Sequence, residues 1–212
     1  FLENHDELRI ASDFLAGDAR RGIPAAIVSI LMNKNPFMLY AGQEFGERGM
    51  DKEGFSGLDG RTTIFDYWTV QSLYHGYVSR RKLTDGEKAL EKKYSMLLNL
   101  ANKETAISDG QFFDLMYANQ DGNLFNQSKL YAFLRKCSTE VLLVVANFSK
   151  DEVECSVRLP HHAFEYLNLQ EKEVTAVDLI SEENTITFNL KPECLVSMSV
   201  PGYGGCVYKF KV

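Results

Sequence analysis

A chain of 212 residues, 45% hydrophobic and 25% charged, carries enough apolar material for one large domain or two modest ones. Its net charge of −6 is spread along the whole length with no basic tract, which excludes nucleic acid and anionic membranes as natural partners, since both need concentrated Lys and Arg. No run approaches the ~18 apolar residues of a membrane span.

The predicted elements change character near residue 105. The chain opens on the apolar pair Phe1 and Leu2, read as the end of a strand; no signal peptide is legible there, and a start lost upstream would hide one. Ala25 to Met32 (AAIVSILM) is apolar almost throughout, as a helix buried against a sheet would be, and Asn33-Lys34-Asn35-Pro36 stops it. Phe37 to Ala41 reads as a short, fully buried strand ending at Gly42. A glycine-rich, charged loop from Glu44 to Phe65 exceeds the ~12–15 residues of an idle connection. Leu83 to Lys103 is the clearest helix: Thr84 or Asp85 caps it, Glu87 follows Thr84 at capping-box spacing, and Leu90, Tyr94, Leu97, Leu98 and Ala101 share one face.

Beyond residue 105 short strands take over, at 130–136, 141–148, 153–159, 174–179, 185–190, 195–200 and 207–212, a spacing that predicts an antiparallel β-sandwich. The four cysteines, Cys137, Cys155, Cys194 and Cys206, fall in this half. None forms a C-x-x-C pair or lies at a ligand-like interval from a histidine, so they read as buried or half-buried thiols, with one or two disulfides open in an oxidising compartment. The first segment holds too few strands to bury both faces of a parallel sheet, and such units occur in larger sheets, so something further is expected upstream.

The chemistry-bearing residues fall in two clusters. Asn4, His5 and Asp6 come directly after the apolar opening, where strand ends of an alternating α/β barrel present catalytic groups. Asp6 is suited to accept hydrogen bonds from vicinal sugar hydroxyls and to stabilise a developing oxocarbenium ion, and His5 to donate to a hydroxyl-rich ligand. The plainer alternative is a polar turn in which Asn4 or Asp6 caps the next helix. Gln43 and Glu44 come after the second predicted strand at the same rim, as structural hydrogen-bonding groups rather than catalysts. Arg48, Arg61, Tyr67 and Trp68 are suited either to line a sugar groove or to pack the long loop.

FLENHDE resembles the fourth signature region of the α-amylase family, glycoside hydrolase family 13. NPFMLYAGQEFGE is similar to that family's eighth barrel strand, and LYAFLRKCSTEVLLVVANFS to the start of its C-terminal β domain, the three in the expected order. The resemblance implies a fold of α/β plus all-β class: the C-terminal part of a (β/α)8 TIM barrel over 1–105, from the end of strand 7 to helix 8, and an antiparallel β-sandwich over 106–212. It implies a retaining glycoside hydrolase acting on α-glucans such as starch and maltooligosaccharides. Asp6 matches the transition-state-stabilising aspartate, His5 a sugar-contacting histidine beside Asn4, and Gln43 and Glu44 a structural stretch. The family's nucleophile and acid/base, held about 5–5.5 Å apart in retaining enzymes, belong to earlier strands, so this chain alone is expected to be inactive. No cofactor is evident; calcium is common in the family, but no ligand set for it or any other metal is visible. Unpaired barrel strands favour self-association. The compartment stays open, with a periplasmic or extracellular one favoured over the cytoplasm. The rival readings are a glucanotransferase or branching enzyme of the same family, a non-catalytic carbohydrate-binding protein on the same fold, and an interaction module centred on the β domain.

Overall fold

A computed structural model describes residues 1–51, 58–62, 64 and 70–212. The chain divides into two compact units, Phe1–Ser29 with Pro36–Leu98, and Ile30–Asn35 with Asn99–Val212.

In the first unit the Asp18 carboxylate accepts from Arg20 N at 2.9 Å and starts a 3-10 turn, Ala19–Gly22, that leads into helix α1, Ile23–Leu31. Pro24 stands in its first turn, where a missing N–H costs nothing. Ile23, Ala26 and Ile27 recur at helical spacing and are buried, and beyond the helix the Asn33 side chain accepts from Asn35 N at 2.7 Å just before Pro36.

The segment expected to be a buried strand at Phe37–Ala41 forms no β-ladder among the described residues, and Met38 is 46% exposed. Phe1 and Leu2 likewise form no strand, and Phe1 is 66% exposed. Apolar runs supply the side chains of a strand, but the ladder needs a neighbour to complete its hydrogen bonds. Gly42 and Gly46, with φ of 86° and 73°, bracket the 3-10 turn Gln43–Phe45. A Cβ at Gly42 would lie 2.9 Å from both Glu47 Cβ and Leu73 Cδ1, so close packing adds to the left-handed backbone in requiring glycine.

The short α2, Gln71–Leu73, continues as a π turn, Tyr74–Val78. Helix α3, Asp85–Lys103, begins with the expected capping box: Thr84 Oγ1 accepts from Glu87 N at 3.2 Å, and Glu87 Oε2 accepts from Thr84 N at 2.7 Å. Its Leu90, Tyr94 and Leu97 are buried.

The second unit contains α4, Thr105–Ser108, and eight strands: β1, Gln111–Asp114; β2, Leu130–Cys137; β3, Glu140–Asn147; β4, Val153–Leu159; β5, Lys172–Asp178; β6, Thr185–Leu190; β7, Cys194–Val200; and β8, Gly204–Lys211. Helix α5, His161–Leu167, comes after Pro160, between β4 and β5. Every predicted strand of this half is present, while β1 and α5 were not anticipated. All pairings are antiparallel, in one sheet ordered β1-β2-β3-β8-β5-β6 and a second of β4 and β7. Ala132, Leu134, Leu143 and Tyr208 of the first sheet share one core with Val157, Val196 and Met198 of the second. Cys155, Cys194 and Cys206 are buried and Cys137 half-buried, all as free thiols, and burial first of all pushes the Cys206 thiol up to about 12.

Leu142 and Val144 of β3 and Phe133 of β2 are buried too, on the face opposite that core. Arg135, 2% exposed, lies on the same face of β2 as Phe133 and donates to four carbonyls: Ala106 O from Nε at 3.0 Å, Met32 O from Nη1 at 2.7 Å, and Ile107 O and Gly110 O from Nη2 at 2.5 and 3.0 Å. It ties α4, the turn before β1 and Met32 of the 30–35 segment to the sheet. Asn147, wholly buried, plays a similar part at the other end of the sheet, donating to Asp151 O at 2.9 Å and Val200 O at 3.1 Å.

Candidate functional site

The loop carrying Asn4, His5 and Asp6 is shaped by Asn4. Its side-chain oxygen accepts from Asp6 N at 2.8 Å and Glu7 N at 2.9 Å, the turn-forming geometry that asparagine offers after an extended segment. That bend leaves the His5 and Asp6 side chains 45% and 72% exposed, with Nε2 of His5 3.4 Å from Oδ2 of Asp6. The Asp6 carboxylate has no other hydrogen-bond or ion-pair partner among the described residues, and can accept from ligand hydroxyls or face a developing positive charge.

Beneath this tip lies a buried ionic pair that sequence reading missed. Glu3 is 2% exposed and Arg9 is not exposed at all. Glu3 Oε1 accepts from Ile10 N at 2.7 Å, closing the loop on itself, and Oε2 lies 2.9 Å from Arg9 Nε in an ion-pair contact that lacks hydrogen-bond alignment. Arg9 Nη1 and Nη2 donate to Ala41 O at 3.1 and 3.0 Å, and the guanidinium lies 4.7 Å from the centre of the Tyr40 ring. Arg9 therefore joins the His5–Asp6 loop to the segment that leads into Gln43 and Glu44. No hydrogen bond or ion pair links the two clusters directly among the described residues.

Gln43 is buried, and its Nε2 donates to the Tyr94 hydroxyl on α3 at 3.0 Å. Glu44 accepts from the Tyr77 hydroxyl at 2.6 Å. Glu47, 5% exposed, accepts from Gly49 N at 2.8 Å, from Thr62 Oγ1 at 3.3 Å and from Ser72 Oγ. Glu3 thus shares its surroundings with Arg9, Glu44 and Glu47. Burial raises its pKa above the ordinary 4.5, Arg9 opposes that rise, and the other two glutamates add to it. Burial also pushes the Tyr94 phenol up to about 12, against the hydrogen bond from Gln43. Burial and the bond to Glu44 raise Tyr77 as well, so both phenols stay protonated at neutral pH.

Arg48 pairs with Asp13, and Arg61 Nη2 lies 3.1 Å from Asp59 Oδ2, so each of these arginines holds its loop through a neighbouring acid. Tyr67 and Trp68 lie outside the described residues. No group of three or more His, Cys, Asp or Glu side chains able to hold a metal occurs among the described residues, and no helix there is long and apolar enough to cross a membrane.

The hydrogen bond between Gln43 and Tyr94 spans 51 residues of sequence, and no local pattern announces it. The charges of Arg9 and Glu47 gave no sign of burial either. The one available signal was Glu3 directly after two apolar residues, a position where an acid needs a partner if the chain is buried.

No protein-family model matches the chain, and no curated protein matches its sequence. Solved structures do match. All of the chain superposes on 40% of a noncanonic maltogenic α-amylase from Thermotoga neapolitana, at 16% identity and a TM-score of 0.63. All of it likewise superposes on 38% of an α-amylase from Geobacillus thermoleovorans solved with acarbose, at 15% identity and a TM-score of 0.63. The fold is that of part of an α-amylase. A trehalose-6-phosphate hydrolase from Bacillus licheniformis matches 99% of the chain over 42% of its own length, at 20% identity and a TM-score of 0.56. The chain spans about two-fifths of the length of these structures. At such identities the likeness to α-amylases is one of fold.

Proposed function

We propose that the chain is the C-terminal part of an α-amylase-type glycoside hydrolase that acts on α-glucans by a retaining mechanism. Residues 1–105 form the end of its (β/α)8 barrel and 106–212 its C-terminal β-sandwich. Asp6 stabilises the oxocarbenium-like transition state, His5 and Asn4 hold the sugar beside it, and Gln43 and Glu44 keep the rim in shape. Nucleophile and acid/base come from a preceding part of the protein, and this chain by itself turns nothing over.

The observation that carries the reading is the match of the whole chain to part of two α-amylase structures, one of them solved with acarbose, together with an exposed Asp6–His5 pair on a loop fixed from below. In mechanistic terms, Asp6 contributes through charge. A carboxylate on a pre-bent loop meets the positive charge that develops at the anomeric carbon without reorganising, so its effect is larger in the transition state than in the bound substrate. Asn4 fixes the backbone of that loop, and Glu3 with Arg9 fixes its base, which limits the displacement of the carboxylate.

Turnover of maltooligosaccharides by the full-length protein, wild type against Asp6→Asn at matched folding, tests this. A fall in kcat of about 10²-fold or more with little change in KM is expected. Unchanged turnover reduces Asp6 to a turn residue, and an inactive wild type favours a carbohydrate-binding protein on the same fold. Product analysis separates hydrolysis from glucan transfer.

A further inference from the structure

The second unit carries an aromatic surface that no sequence pattern announced. β1 is an edge strand, and after it Asp114 Oδ1 accepts from Met116 N at 2.9 Å, turning the chain into the 3-10 turn Met116–Ala118 and setting Tyr117 outward. Asn119, 4% exposed, locks that turn against β4: it donates to Leu115 O at 2.8 Å and Arg158 O at 3.1 Å, and accepts from Arg158 N at 2.7 Å. On α5, His162 and Tyr166 share a face by their i, i+4 spacing, while His161 and Glu165 pair at 3.2 Å.

These elements bring four rings into one row. Tyr166 lies 5.8 Å from Phe113, Phe113 6.2 Å from Tyr117, and Tyr117 6.3 Å from His162, the last pair stacked at 26° with the Tyr117 hydroxyl 3.3 Å from Nδ1. Tyr117 and Tyr166 are 48% and 57% exposed. Single exposed aromatics are ordinary; a contiguous, rigidly mounted row is not.

We infer that the row Tyr166–Phe113–Tyr117–His162 is a saccharide-binding platform, separate in its residues from the Asp6 loop, that takes a chain of neutral sugars. Phe113 is half-buried and lies at 61° to Tyr117 and 44° to Tyr166, so the exposed Tyr117 and Tyr166 supply the ring area suited to the C–H faces of sugars, and the tyrosine hydroxyls and nearby carboxylates suit their hydroxyls. The acids at this surface are Asp114, Glu193 and Glu165, of which Glu193 accepts from His161 N at 2.8 Å and faces Arg158 Nη1 at 3.5 Å. Asp114 and Glu193 also act on the Tyr117 phenol, which burial first of all raises. Carboxylates beside the rings disfavour nucleic acid, phosphates and acidic peptides, and together with the tyrosine hydroxyls they offer acceptors to the hydroxyls of a neutral saccharide. The choice of an α-glucan among such ligands rests on the function proposed above.

Affinity electrophoresis of the 212-residue chain through gels containing amylopectin, with a mixed-linkage β-glucan gel beside it, tests the inference. The wild type is expected to be retarded by amylopectin. Tyr117→Ala with Tyr166→Ala should bind about tenfold or more weakly, and Tyr117→Phe, which keeps the ring, should stay near wild type. Equal thermal melts keep misfolding out of the comparison. No retardation of the wild type in either gel, or equal retardation of wild type and double variant, overturns the platform. So does retardation that survives the double variant and vanishes with Asp6→Asn, which places binding at the Asp6 loop, or a self-association lost in the double variant and indifferent to saccharide. Tyrosine-dependent retardation by the β-glucan alone keeps the platform and overturns the α-glucan reading.

Discussion

Arg9 and Arg135 are each almost wholly buried, at 0% and 2% exposure, one in each unit, and they are held in different ways. Arg9 faces a carboxylate, Glu3, and the carbonyl of Ala41, inside a group that also holds Glu44 and Glu47. Arg135 spreads its donors over four main-chain carbonyls and has no acidic partner among its contacts. The first arrangement keeps mutually repelling charges together beneath an exposed Asp–His pair. The second fastens chain segments to a sheet whose other face is apolar. Burial of a charge is thus used in the first unit to hold the loop that exposes His5 and Asp6, and in the second to close a fold.

The sharpest way to break this comparison is Arg9→Met. It strands Glu3 without its cation, and a loss of about 3–5 kcal/mol is expected in urea unfolding. Glu3→Leu combined with Arg9→Met removes the orphan charge as well and should recover much of that loss. Equal costs for single and double variants would mean that the pair is incidental.

Arg135→Met strands no opposite charge, and two of its four carbonyl partners, those of Met32 and Gly110, are in part-buried bonds that water can replace, so a smaller loss of about 2–3 kcal/mol is expected by the same measurement. Arg135→Lys should recover only part of it, because three donors on one nitrogen cannot reproduce the planar fork. Full recovery by lysine would show that charge rather than geometry matters there.

The smallest effect is a pH slope. Folding raises the pKa of Glu3 above 4.5, so between that value and the raised one the folded chain binds more protons than the unfolded chain. Stability from this group is therefore present below 4.5 and declines as pH rises through the window. Glu3→Gln should remove that decline. Asp18, whose pKa the hydrogen bond from Arg20 lowers below 3.8, works in the opposite sense and is lost as pH falls below that value. Denaturation midpoints measured across mildly acidic pH in both proteins check the contribution of Glu3.

Much of the secondary structure of the second unit was legible because its strands alternate or run apolar between polar turns. β1 escaped because Gln111–Asp114 is short and its pairing with β2 lies across a turn-rich segment, and α5 because seven residues give too little periodicity. Helix α3 announced its own start through Thr84 and Glu87, a contact of residues three apart. At the candidate site, Asn4, His5, Asp6, Gln43 and Glu44 could be named from motif and order, while Glu3, Arg9, Glu47, Tyr77 and Tyr94 could not.

By itself the sequence determined what depends on neighbours in the chain: helix caps, strand alternation, the Asn4 turn that exposes His5 and Asp6, and the family its motifs resemble. Tertiary structure alone decided which charges are buried, that Phe37–Ala41 lacks a strand partner among the described residues, and that four aromatic rings from β1, a 3-10 turn and α5 form one surface. Periodicity records how each residue is oriented within its own element. Burial and pairing depend on residues tens of positions away, where contacts are fixed by packing and by the need of every buried polar group for a partner.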